Sequence, residues 1–152
     1  MPMPWAYRHA TRDFRAFLDD LKSRADLVSD NSAYTVVDAV FQVFRRRLTV
    51  QEGLAFASIL PAVLSAIFTR NWAPVADPAP FADIQDMNAE ARQVRRDHNL
   101  TPENAIEVVA WCLWRHVNHR ELKLALSKLP PEARAFWEVP NADPADLAQR
   151  LY

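Results

Sequence analysis

Phe14, Phe17, Leu18 and Leu21 recur at helical spacing, which predicts an amphipathic helix over Arg12 to Lys22 with Thr11 as its N-cap. Ser32 precedes a longer stripe of Val36, Val37, Val40, Phe41, Phe44 and Leu48, with Gln42, Arg45 and Arg46 on the other side. This second helix is expected to end near Leu48. Thr49 and Glu52 have capping-box form, in which each side chain satisfies the other residue's orphan backbone N–H, so a third helix starts at Val50. A proline removes a hydrogen bond from a helix interior but suits a first turn. Leu60-Pro61 is therefore expected to end helix three and open a short fourth.

The same punctuation returns 69 positions later, from Thr49 to Asn118, without a gap. Thr101 sits where Ser32 did, Asn118 and Glu121 take the places of Thr49 and Glu52, and Leu129-Pro130 falls on Leu60-Pro61. Ile106, Val109, Ala110, Leu113 and Val117 lie on the stripe positions of the first copy. Trp72 to Pro80 is an extended connector, since a residue before proline is pushed out of the helical region. Phe81 to about Asp97 is expected to be the first helix of the second copy, and Asp143 with Pro144 the start of a terminal helix. The expectation is an all-α protein, two tandem copies of a multi-helix unit packed into one compact domain over 1–152. Its parts are a first repeat over about 11–68, a connector over 69–80, a second repeat over 81–138 and a terminal helix over 144–151. Val37, Val40, Phe44, Leu60, Val109, Leu113 and Leu129 are its expected core.

Composition narrows the function classes. The chain has 152 residues, 50% hydrophobic and 24% charged, the balance of one globular domain that needs no disulfide or metal staple. One glycine against eleven prolines argues against sheet-rich and phosphate-loop architectures, which need glycine where φ is positive. A net charge of −1 leaves no excess of positive charge to neutralise a nucleic-acid backbone, so nucleic acid is not an expected partner. The lone Cys112 cannot form an internal bridge and the start of the chain does not resemble a secretion signal, so a reducing cytoplasm is the expected compartment.

The runs TVVDAVFQVFRRRLTVQEGLAFASILPAVLSAIF and NLTPENAIEVVAWCLWRHVNHRELKLALSKLPPEARAFW each place a cap after an alanine-containing helix and then Leu-Pro before a short helix. Together with Trp72 and Pro74 in the connector, they resemble the two copies of a bacterial family catalogued as domain of unknown function 2267, over about residues 12 to 138. The third and fourth helices of the first copy are more apolar than that pattern. The resemblance implies an all-helical bacterial protein with no established activity, and it brings no catalytic residue to carry over.

Cys112, His116 and His119 are spaced four and three apart, which would line them on one face of an uninterrupted helix as zinc ligands. The cap at Asn118 breaks that helix between the histidines, and Val43 holds the cysteine's place in the first copy. A core cysteine with a flanking histidine is expected, with no metal and no cofactor. Nucleophilic catalysis by Cys112 with His116 is disfavoured because apolar neighbours raise a thiol's pKa. No catalytic residue is assigned and an enzyme is not expected. The acidic segments Asp19-Asp20 and Asp26 to Ser32 lack the glycine and glutamate of a calcium loop. Arg45, Arg46 and Arg47, with Arg92, Arg95 and Arg96, point to a local anion patch, of which Arg45, Arg46, Arg92, Arg95 and Arg96 are the candidates.

The copies differ most on one face. Gly53 to Phe68 carries no charge over sixteen residues, whereas Ile59 and Val63 lie where the second copy has Lys128 and Glu132. Sixteen residues broken by a proline are too short to span a bilayer, which takes about 20, so no membrane role is expected. That face calls for a cover, from this chain or a second one. Trp111 and Trp114 stand where the first copy has Gln42 and Arg45, which makes them either interface aromatics or packing beneath the terminal helix. The expected function is a non-enzymatic cytosolic interaction or structural protein, with a homodimer or another protein as partner. The alternative is a small-molecule or anion-binding domain that uses a cavity between the repeats or the arginine patch.

Overall fold

Helical spacing of apolar residues produces helices throughout, and the computed structural model describes residues 2–95, 101–140 and 142–149. Among these the order is α1 (Trp5–Arg8), α2 (Ala10–Ala25), α3 (Asp30–Arg45), α4 (Val50–Ala57), α5 (Ala62–Thr69), α6 (Ile84–Val94), α7 (Ala105–His116), α8 (His119–Ser127) and α9 (Pro131–Phe136). The protein is all-α, and no strand occurs among the described residues.

Cap chemistry sets several of the boundaries. Thr49 Oγ1 accepts from the Glu52 backbone N–H and Glu52 Oε1 accepts from that of Thr49, so the capping box opens α4 as its sequence implies. Asn118 accepts from the Glu121 N–H and opens α8 in the same way. Pro61 and Pro130 stand before α5 and α9 with nearly equal backbone angles, φ −53° and ψ 152° against φ −54° and ψ 151°. The starts of α4 and α8, and those of α5 and α9, are each 69 residues apart.

Other boundaries depart from expectation. Trp5–Arg8 forms a short helix, and α2 starts at Ala10 with His9 before it, so Thr11 lies inside the helix rather than capping it. The cap of α3 is Ser29, whose Oγ accepts from the Ser32 N–H, because an extended residue at 29 places its hydroxyl over the first turn. Thr101 likewise does not cap α7, which starts at Ala105; its first turn is satisfied from α6, where the buried Asn88 Oδ1 accepts from the Ile106 N–H at 2.9 Å. Helix α6 covers Ile84–Val94, and the expected end at Asp97 lies outside the described residues. From 144 to 149 the described chain is turn rather than helix. Asp143 Oδ1 accepts from the Ala145 N–H two residues on, and Asp146, Leu147 and Ala148 each bond back three residues, so successive tight turns hold this segment in place of the four-residue bonds of an α-helix.

Helix α3 is central, with α2, α5, α6 and α7 all packed on it. All seven expected core residues are buried. The densest part joins the two halves of the chain. Phe44 of α3 lies 4.9 Å from Phe56 of α4, 4.8 Å from Phe136 of α9 and 5.2 Å from Trp137, ring centre to ring centre. Trp137 stacks on Phe56 at 5.6 Å, so neither half keeps its aromatic side chains to itself.

Gly53, the chain's single glycine, sits in the middle of α4, where glycine costs roughly 1 kcal/mol relative to alanine. Its reason is Trp72: a β-carbon at 53 would overlap the six-membered ring of that indole. Gly53→Ala is therefore expected to displace Trp72 and destabilise the protein. In a Trp72→Ala background the same change should stabilise by up to about 1 kcal/mol. Urea melts of the four proteins check this, and the same sign in both backgrounds would refute the steric explanation.

Candidate functional site

Helix α3 faces the core with its valines and phenylalanines, which leaves Tyr34, Asp38, Gln42 and Arg45, spaced four, four and three, as a polar stripe along its outer side. The stripe forms one wall of a groove of about 490 Å³. The turn after α5 supplies Arg70 and Asn71, and the end of α6 supplies Arg95. Asn71 has φ 56°, a left-handed conformation that asparagine tolerates better than most side chains and that turns the chain out of α5. Asp38 is held by Gln42, whose Nε2 donates to Oδ2 at 2.9 Å.

The expected anion patch is only partly gathered. Arg45 is buried and its Nη1 donates to the carbonyl oxygens of Phe68 at 2.8 Å and Arg70 at 3.0 Å. Burial holds its pKa below the ordinary arginine value, with Asp38 working in the opposite direction and Arg46 adding to the fall. Arg46 lines a second hollow, which Arg45 also lines, and reaches Glu90 at 3.5 Å. Arg95 joins Arg45 in the groove. Arg92 does not, because it lies in a separate hollow with Gln85, Asn88 and Asn104 and faces Glu103 at 3.6 Å. Arg96 lies outside the described residues. Arg47, third of the consecutive arginines, points into the protein. Its side chain is 3% exposed and makes a two-pronged bond to Glu90 of α6, at 2.6 and 3.0 Å, while also donating to the carbonyls of Val43 and Pro80. That bond holds the Glu90 carboxyl below its usual pKa.

Cys112 is fully buried in α7, and burial, reinforced by the Asp20 charge, pushes its thiol far above the usual range. His116 Nε2 donates to Asp20 Oδ2 at 2.6 Å, and Arg115 Nε donates to the same oxygen at 3.0 Å. His119 Nε2 donates to the Trp114 carbonyl at 2.6 Å. The two histidines thus belong to different contacts, one tying α7 to α2 and the other closing the α7–α8 corner. Among the described residues no three His, Cys, Asp or Glu side chains converge as a metal site.

Trp114 donates its indole N–H to the Trp137 carbonyl at 2.8 Å and meets His119 edge-on. Trp111 is half-buried between two guanidinium groups, Arg24 at 4.8 Å and Arg115 at 4.5 Å from its ring centre. Arg115 also holds the turn near the C-terminus through the Asp146 carbonyl at 2.9 Å. Both tryptophans therefore pack within the chain. On the charge-free segment Ile59 and Val63 are half-buried and packed against the core, while Val50 and Leu54 on the outside of α4 stay exposed, Leu54 by 55%. No helix among the described residues is long and apolar enough to cross a membrane.

Sequence reasoning did not single out Tyr34, Asp38, Arg70 or Asn71 as site residues. The four-residue spacing from Tyr34 to Asp38 to Gln42 was available as a signal, whereas the approach of Arg70 and Arg95 depends on tertiary packing alone. No curated protein matches the chain. A family model described as "Uncharacterized conserved protein (DUF2267)" matches residues 14–136, from the first turns of α2 to the end of α9 and so through both halves of the shared core, and the chain belongs to that family.

Proposed function

We propose that this chain is a non-enzymatic helical interaction protein of the cytoplasm, built from two copies of a four-helix unit, which pairs with a second copy of itself through the outer face of α4 and α5. The observation that carries the reading is the charge-free segment from Gly53 to Phe68, which leaves Leu54 uncovered and Ile59 and Val63 half-covered, with Val50 also exposed one turn before Leu54. Contiguous apolar surface of this kind marks contact sites in soluble proteins. Its lack of charge favours a like partner, since a two-fold axis sets each residue against a copy of its own surface and would bring like charges together on a charged face. The recurrence of caps and helix starts at 69 residues supports the two-copy origin. At the positions of Leu54 and Val63 the second copy carries Lys123 and Glu132.

Sedimentation equilibrium tests the reading. Wild type is expected near twice 17.4 kDa, and a Leu54→Lys, Val63→Glu variant near 17.4 kDa with unchanged helical circular dichroism. A wild-type monomer, or a variant that remains a dimer, would overturn it.

A further inference from the structure

The groove beside α3 brings three arginines together from three separate parts of the chain, Arg45, Arg70 and Arg95. Arg70 and Arg95 have no carboxylate within ion-pair distance among the described residues. Arg45 differs from both, because its Nη1 is clamped by two carbonyl oxygens while Nε and Nη2 keep no partner among the described residues. A buried guanidinium fixed at one nitrogen offers its remaining donors with little loss of freedom when an acceptor arrives. The groove's acid, Asp38, is engaged by Gln42.

A second hollow of about 370 Å³ is also lined by Gln42 and Arg45, and its walls include Leu48, Trp72 and Val75 beside Arg46 and Asp77. Both hollows are lined by Gln42 and Arg45, the first with mostly charged and polar neighbours and the second with more apolar ones. We propose that the two form one binding site for a small amphipathic anion, with a phosphate monoester or carboxylate head on Arg45, Arg70 and Arg95 and an apolar body along Leu48, Trp72 and Val75. Bidentate donors suit such a head, and the apolar wall gives the ligand affinity that a bare anion lacks. None of Val50, Leu54, Ile59 and Val63 lines either hollow, and the proposal does not rest on pairing.

Titration calorimetry with hexyl phosphate, inorganic phosphate and hexanol tests this on the intact chain. Hexyl phosphate is expected to bind at least about tenfold more tightly than inorganic phosphate, because its chain leaves water, and hexanol is expected not to bind measurably. Arg70→Gln with Arg95→Gln, both at exposed positions, should weaken hexyl phosphate about tenfold or more. Val75→Asn, which removes apolar contact without adding charge, should weaken hexyl phosphate and leave inorganic phosphate unchanged, and the Leu54→Lys, Val63→Glu variant should bind as wild type does. Equal affinity for the two phosphates, or arginine variants that bind like wild type, would overturn the proposal. So would sedimentation with vesicles of phosphatidylcholine and phosphatidic acid in the absence of hexyl phosphate binding, which would assign the arginines to a membrane surface.

Discussion

A Glu90→Leu variant is expected to lose about 3 kcal/mol of stability, and adding Arg47→Met should return much of that loss. The reason lies in the unequal burial of the pair. Glu90 reaches solvent, whereas the Arg47 side chain is 3% exposed and cannot shed its proton. Removing the carboxylate leaves a buried charge facing only the carbonyls of Val43 and Pro80. Removing both charges replaces the pair with apolar side chains of similar length, which buried sites often tolerate. The pair also has a pH signature. Because the folded carboxyl of Glu90 lies below its unfolded value, its contribution is present above that unfolded value and is lost as pH falls through the depressed folded one. Urea melts of wild type, Glu90→Leu, Arg47→Met and the double variant at neutral and acid pH check both parts, and a double variant as unstable as Glu90→Leu alone would count against the buried-charge account.

Trp137→Ala is expected to cost about 3 to 5 kcal/mol, as large-to-small changes in closed aromatic cores do. Trp137 is fully buried and touches Phe41, Phe44, Phe56 and Phe136, which come from α3, α4 and α9. Its loss would open a cavity at the place where the two halves meet. Trp137→Phe should stay within roughly 1 kcal/mol of wild type. The buried Nε1–H of Trp137 has no partner among the described residues, so losing it offsets part of the lost contact area. Phe68 stands at the matching position of the first half. Calorimetric melting of both variants decides the matter, and an alanine variant that melts with wild type would show the cluster to be poorly packed.

The features legible in the sequence were those fixed by near neighbours. Thr49 with Glu52, and the prolines at 61 and 130, act within one turn of their own position, and the structure uses them as read. Ser29 and Ser32 were harder to separate, since both are hydroxyl residues within one turn of the helix start and only the backbone angles choose between them. Asp143-Pro144 misled because an aspartate before a proline can open either a helix or a closed turn. The cap that Asn88 provides to α7 crosses from another helix and leaves no local trace. The three consecutive arginines were legible as a group but not one by one. Which of them meets Glu90, which caps the end of α5 and which stays half-exposed depends on where α5 and α6 lie. The groove beside α3 stayed hidden for the same reason, as Arg70 and Arg95 meet Arg45 only once the helices have packed.

The central claim, that chains pair through the outer face of α4, is tested most directly by oxidation of a single introduced cysteine. Leu54 and Leu124 are almost equally exposed, at 55% and 56%, and Cys112 is buried, so cysteines placed at 54 and at 124 differ in location rather than in access. Leu54→Cys is expected to give a disulfide-linked species of twice 17.4 kDa under mild oxidant, while Leu124→Cys stays at 17.4 kDa. Cross-linking at 124 as extensive as at 54 would contradict pairing through this face.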